Sequence, residues 1–79
     1  MSDLQQAEAT LEEVLSSKFG IESDEYEDET SLGQEGLGLD SLDVLELTEL
    51  LEMKLDISIS DEEIEAVDTI GELKDVLDR

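Results

Sequence analysis

Apolar residues recur at spacings of three and four through most of this chain, and that period makes the α-helix the element from which its core must be built. Between Ser2 and Lys18, the residues Leu4, Ala7, Leu11, Val14 and Leu15 fall on one stripe, which predicts a first helix over residues 3–18. Ser2 and Gln5 can cap its start reciprocally, and Gly20 can take the left-handed conformation that ends it. A second helix is predicted from Ser41 to about Leu55, with Val44, Leu47, Leu51 and Leu55 inward and Leu50 widening the stripe. Ser60 with Glu63 and Thr69 with Glu72 read as capping boxes. The first opens a short helix near residues 61–66, the second a final helix with Ile70, Leu73, Val76 and Leu77 inside. Ile57 and Ile59 alternate, but with no partner strand in view they read as a packed connector rather than a sheet.

From Ile21 to Asp40 the period vanishes, and Gly33, Gly36 and Gly38 punctuate what reads as one long loop. Its first half, Glu22 to Glu29, is nearly all acidic and is expected to be solvated, flexible surface; Ile21, Leu32 and Leu37 are expected to pin the loop across the helices. The expectation is an all-α single domain over residues 1–79: a small antiparallel four-helix bundle with three longer helices, one short helix and a long loop between helices one and two.

Charge narrows the partners. Twenty-five acidic residues against four basic ones, Lys18, Lys54, Lys74 and Arg79, give a formal net charge of −21. Such a surface repels nucleic acid and anionic membranes and attracts basic protein surfaces and divalent cations. Acidity with only two aromatic residues, Phe19 and Tyr26, would also suit a disordered chain, but the apolar period argues against that for most of the sequence. There is no Cys and no His, which removes thiol nucleophiles, disulfides, Cys/His zinc sites and the side chain that most often moves protons near neutral pH. A chain of 79 residues also has little surface from which to enclose a catalytic pocket. It reads as a non-enzymatic protein. No apolar run approaches the roughly 20 residues that span a bilayer, so a soluble, cytoplasmic monomer with no nucleic-acid or membrane partner is expected.

One segment joins small residues to a hydroxyl at a helix start: Gly38, Leu39, Asp40, Ser41, Leu42, Asp43. Asp40 or Ser41 can cap the helix and the glycines can permit the turn, and as a tripeptide Asp40-Ser41-Leu42 says little more. Opposite the core stripe of the second helix, Asp43, Glu46, Glu49 and Glu52 recur every third residue and read as a ridge of carboxylates, with Leu42, Leu45 and Met53 beside it. The ordinary reading of such a ridge is a solvated face. Asp24, Glu25, Glu27, Asp28 and Glu29 concentrate carboxylates in the loop, which supports an alternative reading as an acidic cation-binding helical protein; the spacing is not that of an EF-hand.

The wider segment GLGLDSLDVLELTELLE resembles the modification site of acyl carrier proteins, and the order of long helix, long loop, DSL at the second helix, short helix and last helix resembles that family over almost the whole chain. The resemblance implies that Ser41 carries a covalent 4′-phosphopantetheine arm derived from coenzyme A, that Asp40 supports the transfer beside the Mg2+ used by the phosphopantetheinyl transferase, and that acyl groups ride on the arm as thioesters. It implies partners among that transferase (the holo carrier protein synthase) and acyl-loading, elongating or acyl-transfer enzymes, whose basic docking patches would meet Leu42, Asp43, Leu45, Glu46, Glu49 and Glu52. It also implies an acyl chain folded between helices two and three, near Leu47, Leu51, Ile59, Ile64 and Val67. Gly36, Ser60 and Glu49 depart from the usual family pattern, which leaves fatty-acid and specialised lipid or secondary-metabolite carriers both open. An aminoacyl or peptidyl carrier is the neighbouring alternative, and Asp40 before the serine favours acyl cargo.

The charge excess generates a physical expectation. Carboxylates crowded by like charges take up protons more readily in a folded than in an unfolded chain, so protonation favours the fold as pH falls. Millimolar Mg2+ or Ca2+, or mildly acidic pH, should therefore raise the melting temperature at low ionic strength. A melting temperature flat across these conditions would show the repulsion to be screened already.

Overall fold

The structure, a computed structural model, describes residues 3–78, and in it the apolar stripes become four helices: α1 Asp3–Phe19, α2 Ser41–Leu55, α3 Asp61–Ala66 and α4 Ile70–Leu77. Among the described residues the remaining regular structure is one turn of 3-10 helix at Ser23–Glu25 and an isolated antiparallel bridge between Ser31 and Thr69. The chain is thus an all-α bundle, with α4 at eight residues nearer in length to the six of α3 than to α1 or α2. The cap expected of Ser2 with Gln5 and the side chain of Leu4 lie outside the described residues.

Helices α1, α2 and α4 bury the faces their spacing foretold, while α3 has no buried residue. Ala7, Leu11, Val14 and Leu15 of α1 meet Leu47 and Leu51 of α2 and Ile70, Leu73 and Leu77 of α4 in one apolar cluster. Val44, Leu50, Leu55 and Val76 pack at its margin. Each leucine sealed there contributes on the order of 1.5–3 kcal/mol relative to an exposed one. Thr48 is the buried polar residue among them, and its hydroxyl donates to the Leu45 carbonyl at 2.9 Å, so that oxygen is not left unpaired.

The helix ends follow local chemistry. Gly20, at φ 68°, takes the left-handed conformation that turns the chain out of α1, and its amide reaches the Ser16 carbonyl at 3.2 Å. Ser60 and Glu63 close a capping box at α3, as Thr69 and Glu72 do at α4. Where α2 ends the sequence offers no glycine, and Asp56 takes the left-handed position itself at φ 57°. Ile57 and Ile59 form the packed connector, with Ile59 buried.

The long loop is built as an acceptor for α4. The first amides of a helix have no partner inside it. Here the Ile70 amide donates to the Thr30 carbonyl at 3.0 Å and the Gly71 amide to the Asp28 carbonyl at 2.8 Å, while the Leu32 amide donates back to Asp68 at 2.8 Å. Lys74 adds a charged contact, its Nζ 2.7 Å from Asp28 Oδ1 and 4.0 Å from Glu8 Oε2. The hydrogen bond from the ammonium to Asp28 raises the Lys74 pKa, against the opposing effect of partial burial. The reading of Glu22–Glu29 as plain solvated surface therefore needs correction. Its carboxylates are exposed, yet Asp28 anchors the loop to α4 and Glu22 Oε2 accepts from the Ser16 hydroxyl at 3.0 Å. Tyr26 packs against the core from the same stretch; burial, then Glu12 and Glu22, push its pKa up. Leu32 is buried as expected and Ile21 and Leu37 pack at the margin, but Leu39, not anticipated from the sequence, is buried as well.

Gly36 sits where the loop folds on itself. A Cβ there would stand 1.9 Å from the Ser31 carbonyl oxygen, whereas one at Gly33 would meet nothing closer than the Ser31 hydroxyl at 3.8 Å. Gly36→Ala should consequently lower the urea midpoint clearly, by a change of about 1–3 kcal/mol or more. Gly33→Ala should cost less than half as much, and equal losses would contradict the close approach.

Candidate functional site

Leu39 is the anchor from which the start of α2 is suspended. Its amide donates to the Leu32 carbonyl at 2.9 Å, and its side chain is buried. It occupies the position before the N-cap and Val44 the position four residues into the helix; both join the core, the placement of a hydrophobic staple that fixes the angle of entry. Asp40 follows as N-cap in extended conformation. Its Oδ1 accepts from the Asp43 amide at 2.8 Å, and Asp43 Oδ2 accepts from the Asp40 amide at 3.3 Å. The two carboxylates thus close a reciprocal box across the serine.

Ser41 lies inside that box as the first helical residue, and it is exposed. The cap takes the Asp43 amide, so the amides of Ser41 and Leu42 are the ones left over at the positive end of the helix dipole. A hydroxyl held on the first turn beside free amides and open to solvent suits a phosphodiester. The residues therefore fit a covalent phosphopantetheine, and Asp40 keeps a second carboxylate oxygen outside the cap.

The exposed face of α2 departs from the ridge expected of it. Three residues turn a helix through about 300°, so residues spaced by three slip back about 60° per step and the ninth lies on the far side. Asp43 is drawn into the capping box at one end. At the other, Glu52 is half-buried and its Oε2 accepts from the Ile59 amide at 2.8 Å, holding the connector to α3. Glu46 and Glu49 remain exposed between them. Leu42, Leu45 and Met53 are 73%, 41% and 73% exposed, the large apolar side chains that stand out to solvent among the described residues, and all three lie on α2.

Of the residues expected between α2 and α3, Leu47, Leu51 and Ile59 are buried, while Ile64 and Val67 pack against the core half-exposed. A shallow open groove of about 310 Å³ lies elsewhere, on α1 and the 3-10 turn, lined by Glu12, Glu13, Ser16 and Glu22 among others. No group of three or more carboxylates among the described residues is arranged to hold a metal ion, the loop cluster of Asp24, Glu25, Glu27, Asp28 and Glu29 included.

Residues 9–77 match the family described as the phosphopantetheine attachment site. The chain is 40% identical over 62 residues to an acyl carrier protein of Sulfurovum sp., covering 78% of this chain and 81% of that one. It is also 40% identical over 63 residues to an acyl carrier protein of Wolinella succinogenes, covering 80% and 82%. The chain belongs to the acyl carrier protein family. Its fold agrees with the crystal structure of an acyl carrier protein from Thermotoga maritima, with a TM-score of 0.79 at 28% identity over 95% of this chain and 86% of the other. As a member, it is a carrier rather than an enzyme, its domain is one that bears covalent 4′-phosphopantetheine, and its partners are of the general classes that load and handle acyl groups. No helix among the described residues of this carrier is long and apolar enough to cross a membrane.

The geometry separates the two central residues of the motif by what each does for the fold. Asp40→Ala removes the cap and should cost about 0.5–2 kcal/mol in chemical denaturation. Ser41→Ala at an exposed first-turn position should change stability by no more than about 0.5 kcal/mol. A comparable loss from both would mean that the serine itself is structural.

Proposed function

We propose that Ser41 is the attachment residue and that the whole chain acts as one cytoplasmic carrier domain. The observation that carries this reading is the exposed Ser41 hydroxyl held in the first turn of α2, between two capping carboxylates, within a chain of the phosphopantetheine attachment family. Its Oγ attacks the pantetheine-bearing phosphorus of coenzyme A, forming the phosphodiester P–O bond as the pyrophosphate bond breaks and adenosine 3′,5′-bisphosphate leaves. The serine proton passes to a base of the transferase, since the chain has no His and the carboxylates on either side of Ser41, Asp40 and Asp43, are both engaged in the capping box. Asp40 supports the step by offering its outer oxygen toward the transferase's Mg2+ while its inner oxygen keeps the helix start in place.

Once attached, the arm supplies the thiol this chain lacks, and acyl groups are carried on it as thioesters. The chain's own contribution is presentation: α2 holds the serine clear of the core, and Leu42, Leu45, Glu46 and Glu49 face partner enzymes whose basic patches they steer by charge. Asp43 and Glu52, also expected to dock partners, act there with one oxygen each engaged inside the fold. The pathway served is fatty-acid synthesis or a specialised lipid or secondary-metabolite route.

Intact-protein mass spectrometry tests the assignment. Incubation with coenzyme A, Mg2+ and a broad-specificity phosphopantetheinyl transferase should add one phosphopantetheine to the native chain and none to Ser41→Ala. A native chain left unmodified by several active transferases, or a modified Ser41→Ala, refutes it.

A further inference from the structure

The geometry points to Lys74 as a positioning residue for the loading of Ser41, acting through the long loop rather than at the serine. The inference rests on the assignment of Ser41 as the attachment residue. Lys74 stands where three elements meet: its backbone belongs to α4, and its Nζ is 2.7 Å from Asp28 Oδ1 of the loop and 4.0 Å from Glu8 Oε2 of α1. Glu12 adds its attraction from α1. Both ion pairs among the described residues use Lys74, whereas Lys18 and Lys54 are exposed and join neither. The loop rests directly on α4 at this point. The Asp28 carbonyl accepts the Gly71 amide at 2.8 Å, and a Cβ at Gly71 would stand 3.1 Å from that oxygen, so the missing side chain is what lets the loop lie so close.

Charge decides what the contact does. Asp28 and the two α1 carboxylates repel one another, and a neutral residue at position 74 leaves that repulsion uncompensated between loop and bundle. The core does not depend on this corner: Leu11, Leu15, Leu47, Leu51 and Leu73 stay buried whether or not the loop is seated. The loop therefore opens locally before the bundle melts. Opening withdraws the Asp28 and Thr30 carbonyls from α4 and frees Leu32, whose carbonyl holds the Leu39 amide. With Leu39 released, the box of Asp40 and Asp43 loses its fixed entry angle. A transferase that needs Ser41 in its native place then meets only the fraction of molecules whose loop is closed, and the apparent KM rises by the reciprocal of that fraction. Charge steering gives the opposite sign, since losing one cation takes the net charge from −21 to −22 and strengthens attraction to a basic partner.

The test is steady-state loading by a transferase that modifies the native chain, with the carrier as varied substrate, read beside amide hydrogen exchange. Lys74→Gln should raise the KM for the carrier about three- to fivefold with kcat unchanged, as a loop closed roughly a third to a fifth of the time requires. In the same variant the Leu39 amide should exchange nearly as fast as an unstructured one, while the Leu51 amide, inside α2, keeps its native protection. Lys74→Arg keeps the cation and should restore both the KM and the protection of Leu39. Lys18→Gln removes an exposed cation that joins neither ion pair and should not raise the KM. A KM for Lys74→Gln within about twofold of native, an equal rise for Lys18→Gln, a Leu39 amide already unprotected in the native chain, or protection lost at Leu39 and Leu51 alike overturns the inference while leaving Ser41 assigned. A native chain that no transferase loads overturns the assignment of Ser41, and this inference with it.

Discussion

The backbone hydrogen bonds between the long loop and the start of α4 are the interaction on which the rest of the structure depends. A helix of eight residues is too short to be stable alone, and its first amides need acceptors from outside. Thr30 and Asp28 provide them, and Leu32 returns a bond to Asp68. With Leu32 fixed, its carbonyl holds the Leu39 amide, and Leu39 places Asp40 and Ser41 at the head of α2. The position of the serine is thereby set by a relay through the loop to the start of α4.

The carboxylates are deployed in distinct ways. Some are spent on the backbone: Asp40, Asp43, Glu63 and Glu72 cap helices, and Glu52 holds the Ile59 amide. These favour negative charge at helix starts, where the dipole welcomes it. Asp28 is paired with the cation of Lys74, which sits between it and Glu8 and draws loop, α1 and α4 together. Others, Glu46 and Glu49 among them, are exposed on the face of α2 that also presents Leu42, Leu45 and Met53. Reading every acidic residue of α2 as docking surface overlooks the first of these uses.

The proposed role asks of such a small chain only that a serine be exposed, held in one geometry, and flanked by a surface that partners can find and leave. The relay meets the second demand and the exposed line of α2 the third, while the core on the opposite face is left to hold the bundle. Having no His or Cys costs nothing in the proposed role, in which the thiol arrives with the arm and the base belongs to the partner.

The sequence by itself determined the helices, their inward faces, the capping boxes at Ser60 and Thr69 and the place of Ser41, because each depends on contacts within a few residues that spacing records. It also contained the Asp40–Asp43 box and the staple of Leu39 with Val44, legible in principle as a carboxylate three residues after an N-cap and an apolar residue just before it. Only the tertiary structure decided that Asp28 and Lys74 meet across 46 positions, that Glu52 turns to Ile59, and that Gly36 must pass against Ser31. Those contacts join segments whose separation along the chain no periodicity encodes. They form only when burial of the helix stripes has brought the loop, the connector and α4 together.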